Sequence, residues 1–340
     1  MLKTFTRHSQ FVRNDAETGA RIAYNTRSTS IAGVQSAPRG KIFLRLKPFL
    51  GEMKQLILNA DDFGLTRGIN QGIMRAHRGG ILTSATLMAN GPAFDDAIEL
   101  AKANPQLGIG CHLVLSGGRA VAPREKIPSL AGPDGSLPES LAALVLRVTS
   151  GTLRTADIET ELRAQIEKIR AAGIEATHVD THKHTHCHPR VLNVVGRVAR
   201  AFGISKIRNP VESARDSWQS TRPDVPGRIL DFAASCAVRS IKSQFNSISR
   251  GYDLRSPDHF LGLVATGRLD ATALVGLLQV VPEGTTEIML HPGICDGDLR
   301  ETHSRLQMHR ETEMNALIAP EVMNVVTERQ IHLISYRDLS

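Results

Sequence analysis

Acidic and imidazole side chains stand at the ends of short apolar runs in this sequence, and their types suit metal-assisted hydrolysis. Asn59-Ala60-Asp61-Asp62-Phe63-Gly64 closes the run Gln55–Ala60. Adjacent carboxylates on a strand point in different directions, so one can bind a metal while the other takes a proton from water. A turn with an Asp helix cap is the plain alternative. His112 lies near the end of Leu107–Leu113, where a lone histidine is more often a packed core or turn residue than a ligand. Its partners alter that reading. Five of the thirteen histidines, His178, His182, His184, His186 and His188, fall within eleven residues after a further apolar run. If the backbone stays extended, residues 182, 184, 186 and 188 share one face. One or two would bind metal and the others would line the substrate site or orient the ligands, the alternative being a His-rich surface loop. Cys187 reads as a small packed residue or a thiolate ligand.

His291 ends the run Glu287–Leu290 and is held at the rim by Pro292-Gly293, a turn pair. It would be the general acid opposite the base, or simply close the strand. Arg208, just before Asn209-Pro210, can pair with Asp61, bind substrate, or form a structural salt bridge. A carboxylate with two imidazoles implies one divalent metal ion. That set suits Zn²⁺ or a similar transition ion better than Mg²⁺, which prefers oxygen shells.

The elements that must position these residues follow from hydropathy. From Lys54 onward, apolar runs alternate with amphipathic stretches, the pattern of repeated βα units. Strands are expected at Gln55–Ala60, Ser84–Met88, Leu107–Leu113, Ala176–Asp180, Ser205–Arg208, Thr286–Leu290 and Ile331–Ser335. A turn is expected at Asp61–Gly64. Helices are expected at about Ile69–Arg78, from Pro92 to Ala103, across Glu139–Ala172 with a break near Ser150-Gly151, at Arg190–Phe202, near Asp270–Val280 and twice across Glu301–Arg329. Gly117–Pro138 reads as a long loop shaping a cleft, and Asn209–Tyr252 as an insertion. The fold class is α/β, an irregular (β/α) barrel of about seven strands, forming a single domain over 53–340.

The chain of 340 residues carries a net charge of +7, but residues 1–52 hold nine Lys and Arg against three acidic residues. The body is thus close to neutral, which argues against a nucleic-acid partner. Segment 1–52 lacks periodicity and reads as a disordered or weakly ordered basic extension, expected from an early assigned start codon ahead of Met53 in preference to an N-terminal targeting arm. No run approaches a signal-peptide core or a transmembrane segment, leaving transient contact with a membrane surface. Four separated cysteines without a CxxC pair fit a reducing, cytoplasmic setting.

Beyond these readings, Asn-Ala-Asp-Asp-Phe-Gly (59–64), Thr-Ser-Ala-Thr-Leu-Met-Ala-Asn-Gly (83–91), Gly-x-His-Leu (110–113), His-Val-Asp-Thr-His-Lys-His-Thr-His (178–186) and His-Pro-Gly (291–293) resemble the YdjC-like carbohydrate deacetylases, a branch of the glycoside hydrolase/deacetylase barrels. The resemblance covers most of Met53–Leu339. It implies metal binding by Asp62, His112 and His182, Asp61 as base and His291 as acid, with Arg208, His184 and His186 supporting the site or binding substrate. Lys183 departs from the pattern, since many relatives carry a histidine there. Residues 83–94 and the ending Ile-Ser-Tyr-Arg-Asp-Leu resemble the hopanoid biosynthesis-associated branch. The implied reaction removes the N-acetyl group of an amino sugar, there an acetylglucosaminyl hopanoid. Chito-oligosaccharide deacetylation and phosphoester hydrolysis on a similar barrel are the alternatives. A glycosidase would need a second acidic strand end facing the first, and none is evident. Phe63, Trp218 and Phe260 are the candidate sugar-stacking side chains.

Overall fold

β1 (Lys54–Phe63) is the hub of a parallel sheet, and eight of its ten residues are buried. A computed structural model describes residues 53–212, 241–302 and 304–340. The basic segment 1–52, much of the expected insertion and Trp218 lie outside the described residues. β1 is followed by α1 (Arg67–Gly79), β2 (Ser84–Leu87), α2 (Phe94–Ala103), β3 (Gly108–Leu113), α3 (Leu141–Ser150), α4 (Thr155–Ala171), β4 (Val179–Thr181) and α5 (Pro189–Ala201). Then come α6 (Lys242–Gly251), β5 (His259–Leu261), α7 (Ala271–Gln279), β6 (Gly284–Leu290), α8 (Gly297–Glu301), α9 (Met308–Leu317), α10 (Pro320–Glu328) and β7 (His332–Leu333).

The strand order is β4-β3-β2-β1-β6-β5, with β7 pairing the first half of β1. Every ladder is parallel. The result is a half-barrel sheet with helices, in the α/β class expected. Strands buried on both faces read as near-continuous apolar text, which is why Leu56, Ile57 and Leu58 form one run and are all fully buried. Each such side chain contributes roughly 1.5–3 kcal/mol. Because every strand runs the same way, all carboxyl ends meet at one edge, where sites in such sheets are built.

Three expectations need correction. Ser205–Arg208 forms no ladder; Val179–Ile207 and Lys206–Arg255 are single bridges, and Pro210, which lacks an N–H, stands two residues beyond Arg208. β5 takes its place in the strand count, a three-residue strand too short to show alternation. Asp61 and Asp62 do not form a turn: β1 runs through them to Phe63, with a register shift against β2 between Ala60 and Phe63. Finally, His182–Cys187 is a 3₁₀ turn with Lys183 at φ 55° and His184 at φ 52°, so residues 182–188 are not extended and do not share a face.

The helices seat the strand ends. Thr66 Oγ1 accepts from Ile69 N at 3.2 Å to cap α1, whose core face carries Ile69, Ile73 and Met74. Gly72 lets α1 approach the loop after β6: a Cβ there would stand 2.4 Å from Gly293 Cα. The loop 117–138 is pinned from α4, where Glu161 accepts from Val121 N and Ala122 N and Asp157 from Ser129 N. No helix among the described residues is long and apolar enough to cross a membrane.

Backbone faces Gly72 directly, so the contact has little freedom to relax. Gly72→Ala is expected to destabilise the fold by about 1–3 kcal/mol through overpacking, read as a lowered urea midpoint at unchanged slope.

Candidate metal centre

Three atoms carrying lone pairs converge at the carboxyl edge of the sheet. Asp62 Oδ1 lies 3.3 Å from His112 Nε2 and 3.2 Å from His182 Nδ1, and the two nitrogens are 3.3 Å apart. Asp62 and His112 are buried, while the His182 side chain keeps 22% exposure. The group therefore opens to solvent on one side.

A bulge makes this possible. Without it, Asp61 and Asp62 would face opposite sides of the strand. The irregularity at Asp62, with φ 66°, bends the strand and re-aims its side chains, and aspartate is among the few residues that tolerate left-handed backbone. Both carboxylates consequently reach the same region with different partners. Asp62 Oδ2 accepts from Arg310 NH2 at 2.6 Å. Burial opposes its charge, but Arg310 and the two imidazoles hold its pKa well below the usual carboxylate value.

His112 is oriented across the β3–β4 ladder. It lies in register with Asp180, and its Nδ1 bonds Asp180 Oδ1 at 2.8 Å, with Thr86 Oγ1 at 3.2 Å. A proton on Nδ1 given to Asp180 leaves Nε2 as a lone pair aimed at Asp62 and His182. Burial disfavours a charged ring here, yet Asp180, Asp62 and Asp61 outweigh it and push the pKa up to about 10. The pocket thus demands a positive charge at Nε2, supplied by a second proton or by a cation.

The residues fit a metal ion. Asp62 Oδ1 is buried and accepts no well-aligned hydrogen bond, although two ring nitrogens face it. Ligand atoms at about 2.0–2.2 Å from a tetrahedral ion stand roughly 3.3–3.6 Å apart, close to the spacing of these three. One carboxylate and two imidazoles form a set suited to Zn²⁺ or a similar ion, with room for further ligands on the open side. Asp61, His112 and Asp180 also cluster, but there a guanidinium already fills the space between the carboxylates.

That guanidinium is Arg208, fully buried. It donates from NH1 and NH2 to Asp61 at 2.7 Å each, lies 2.7 Å from Asp180 Oδ2 through NH1, and donates from Nε to Glu287 at 2.8 Å. Burial opposes the Asp61 charge, but Arg208 overcomes it and lowers the pKa. Asn59 Nδ2 adds a bond to Asp61 Oδ1 at 3.1 Å. Glu287 also accepts from Tyr336 OH at 2.5 Å, and burial pushes its pKa up to about 7. His291 Nε2 lies 4.0 Å from Asp61 Oδ2. Burial lowers the His291 pKa to about 4, leaving its ring neutral near pH 7.

The structure therefore brings Asp61, Asp62, His112, His182, Arg208 and His291 to one place. His186 lies beneath them, with Nδ1 on Thr181 Oγ1 at 2.6 Å and Nε2 on Arg208 O at 3.1 Å. Both nitrogens are thus engaged within the protein, which makes it a support for the Arg208 backbone and leaves none for substrate. His184 packs edge-on to His186 and Phe260, while His188 caps α5 by accepting from Arg190 N. Burial pushes the Cys187 thiol up to about 12, so it stays protonated and packed. Phe63 is fully buried in the core and Phe260 is 3% exposed, beside His184; neither offers an open stacking face.

Sequence reasoning missed Asp180, Glu287, Arg310 and Glu313. Asp180 lay in view within the histidine motif, and only its register with His112 reveals a partner. Arg310 and Glu313 sit on α9, with no spacing signal linking them to Asp62 or His291.

Fold and site together define a parallel α/β half-barrel whose strand edge carries an Asp-His-His cluster and a second, arginine-held carboxylate. The chain belongs to the YdjC-like protein family, which it matches over residues 55–328. It is 34% identical over 282 residues to a carbohydrate deacetylase of Geobacillus stearothermophilus, covering 83% of this chain and 96% of that protein. A carbohydrate deacetylase of Brevibacillus brevis is 33% identical, with 84% and 99% covered. Among solved structures, a suggested cellobiose-phosphate cleavage protein of Enterococcus faecalis superposes with a TM-score of 0.68 at 28% identity, covering 85% of this chain and 99% of that one.

Arg208→Met would remove the buried cation shared by three carboxylates, leaving only Asn59 on Asp61, His112 and Thr86 on Asp180 and Tyr336 on Glu287. A loss of about 3–5 kcal/mol is expected, and denaturant unfolding with a change under 1 kcal/mol would show that Arg208 is not what sustains the cluster. A second expectation concerns acid. Burial pushes His178 and His184 to about 3 and His186 and His291 to about 4, from an ordinary 6.5, and these four outnumber the two buried carboxyls, Glu287 and Glu313, that are raised to about 7 and act in the opposite sense. All four rings are neutral when folded but bind protons below about pH 6.5 when unfolded. Metal-free protein should lose stability as pH falls from about 6.5 towards 4, seen as a falling urea midpoint; a flat profile would contradict it.

Proposed function

We propose that the protein is a metal-dependent carbohydrate N-deacetylase acting on an acetylated amino sugar, with an acetylglucosaminyl hopanoid glycolipid as its substrate. The observation that carries the reaction class is the convergence of Asp62 Oδ1, His112 Nε2 and His182 Nδ1 within 3.3 Å of one another. The names of the curated relatives point the same way.

Asp62, His112 and His182 would hold one divalent ion, Zn²⁺ or a similar transition ion in preference to Mg²⁺. When bound, such an ion would supply Lewis acidity, polarising the acetyl carbonyl and easing the deprotonation of water. Asp61, kept ionised and oriented by Arg208, takes the proton of the attacking water as that oxygen bonds the carbonyl carbon. His291, neutral at rest and 4.0 Å from Asp61, takes over that proton from Asp61 and delivers it to the departing nitrogen. The C–N bond breaks, giving acetate and a free sugar amine.

Two observations bear on the substrate. Arg208 is fully buried and commits four of its five N–H donors to Asp61, Asp180 and Glu287, which keeps it from gripping a phosphate and disfavours a phosphoesterase. Helix α3 is tied to the segment after the 3₁₀ turn by Thr149–His188 and Arg190–Val148 bonds, and it exposes Leu146 at 69% and Val145 at 39%. An apolar face beside the site suits a lipid-linked sugar or brief contact with a membrane surface. The near-neutral body and the free thiols of Cys111, Cys187 and Cys295 agree with an uncharged sugar and a reducing cytoplasm.

The test offers Zn²⁺-loaded protein acetylglucosaminyl hopanoid, N-acetylated chitobiose and a generic phosphoester. Chelator-sensitive acetate release is expected, and Asp61→Asn should lower it about 10²–10⁴-fold. Absence of release from every acetylated sugar would sink the deacetylase reading. Release from chitobiose alone would sink only the hopanoid assignment.

A further inference from the structure

We infer that one turn of α9 is the positioning element of this site, with Arg310 fixing Asp62 as a one-oxygen ligand and Glu313 fixing the main chain of His291. The inference rests on the metal-centre reading above.

Arg310 is 1% exposed. Its NH2 donates to Asp62 Oδ2 at 2.6 Å and its Nε to Leu306 O at 3.0 Å, so the guanidinium is anchored from the segment that leads into its helix while it grips the carboxylate. One Asp62 oxygen is thereby occupied, and only Oδ1 is left towards His112 and His182. This matters because Asp62 stands on left-handed backbone, and nothing in the regular strand geometry would hold its carboxylate at that angle. Glu313 follows three residues later, on the same helix face. It accepts from Gly267 N at 2.8 Å and from His291 N at 2.5 Å. The same turn holds the rest of the loop, since Gly293 N donates to Arg310 O at 3.1 Å and Cys295 N to Glu311 Oε1 at 2.9 Å. A metal ligand on β1 and the proposed acid after β6 thus take their relative position from residues 310–313.

The sign of one measurement separates positioning from simple charge. Arg310 is a cation next to a cation site. If its charge were its main effect, removing it would tighten metal binding. If it positions Asp62, removing it loosens binding, by the 10–100-fold typical of groups that orient metal ligands. The experiment measures Zn²⁺ dissociation constants by competition with a chromophoric chelator, on the full-length protein and on Arg310→Gln, Arg310→Lys and Glu313→Gln, with thermal unfolding as the folding control. Arg310→Gln is expected to weaken Zn²⁺ about 10–100-fold, and Arg310→Lys, which keeps a donor, to lose less. Should Arg310→Gln fail to fold, the lysine variant alone must still bind Zn²⁺ more weakly than the parent. Glu313→Gln should leave Zn²⁺ affinity within about twofold while slowing acetate release, because it acts on His291 and not on the ligands. Unchanged or tighter Zn²⁺ binding in the Arg310 variants would overturn the inference. So would an equal loss in Glu313→Gln, which would mark general loosening. A parent protein that binds no divalent ion would instead bring down the metal reading and this inference with it.

Discussion

A single buried guanidinium organises the site. Arg208 meets Asp61 from β1, Asp180 from β4 and Glu287 from β6, and each of those carboxylates would be very costly to bury without a partner. The consequences pass outward bond by bond. Asp61 stays ionised and faces His291; Asp180 is fixed so that it can receive the Nδ1 proton of His112. That bond turns His112 Nε2 towards Asp62 and His182, so the orientation of the Asp-His-His cluster depends on a residue that touches none of its three members. Arginine suits the position better than lysine because its planar fork presents several donors in fixed directions.

The network reaches back into the core. Tyr336, near the end of the chain, donates to Glu287 and stacks on His178 with ring centroids 3.6 Å apart. Gly110 on β3 makes room for that stack, since a Cβ there would lie 2.4 Å from His178 Cε1. A glycine two residues before His112 and a tyrosine far along the chain therefore support the same carboxylate cluster. Buried polar networks of this kind are stable only when nearly every member is satisfied. The unpartnered atoms that remain near the edge, Asp62 Oδ1 among them, lie where an external ion or substrate would complete the set.

Hydropathy and residue type were enough to place Asp61, Asp62, His112, His182 and His291 at the ends of strands, because a parallel sheet buried on both faces writes each strand as an apolar run with its end marked. The alternation of runs and amphipathic stretches likewise disclosed the α/β class and most helices, several within a residue or two. β5 was not legible and Ser205–Arg208 was read as a full strand where only single bridges form, since short segments owe their conformation to neighbours and carry little pattern of their own.

By itself, then, the sequence determined which side chains would share one edge, through the period of its apolar runs and the common direction of parallel strands. Tertiary structure decided how they face one another. The bulge that turns Asp61 and Asp62 to one site, the 3₁₀ turn that sends His182 and His186 to different tasks, and the pairings of Asp180 with His112 and Arg310 with Asp62 all depend on register and on contacts between residues far apart in the chain. Such contacts leave no period in a sequence, because each is set by the packing of whole elements and not by the spacing of residues along one of them.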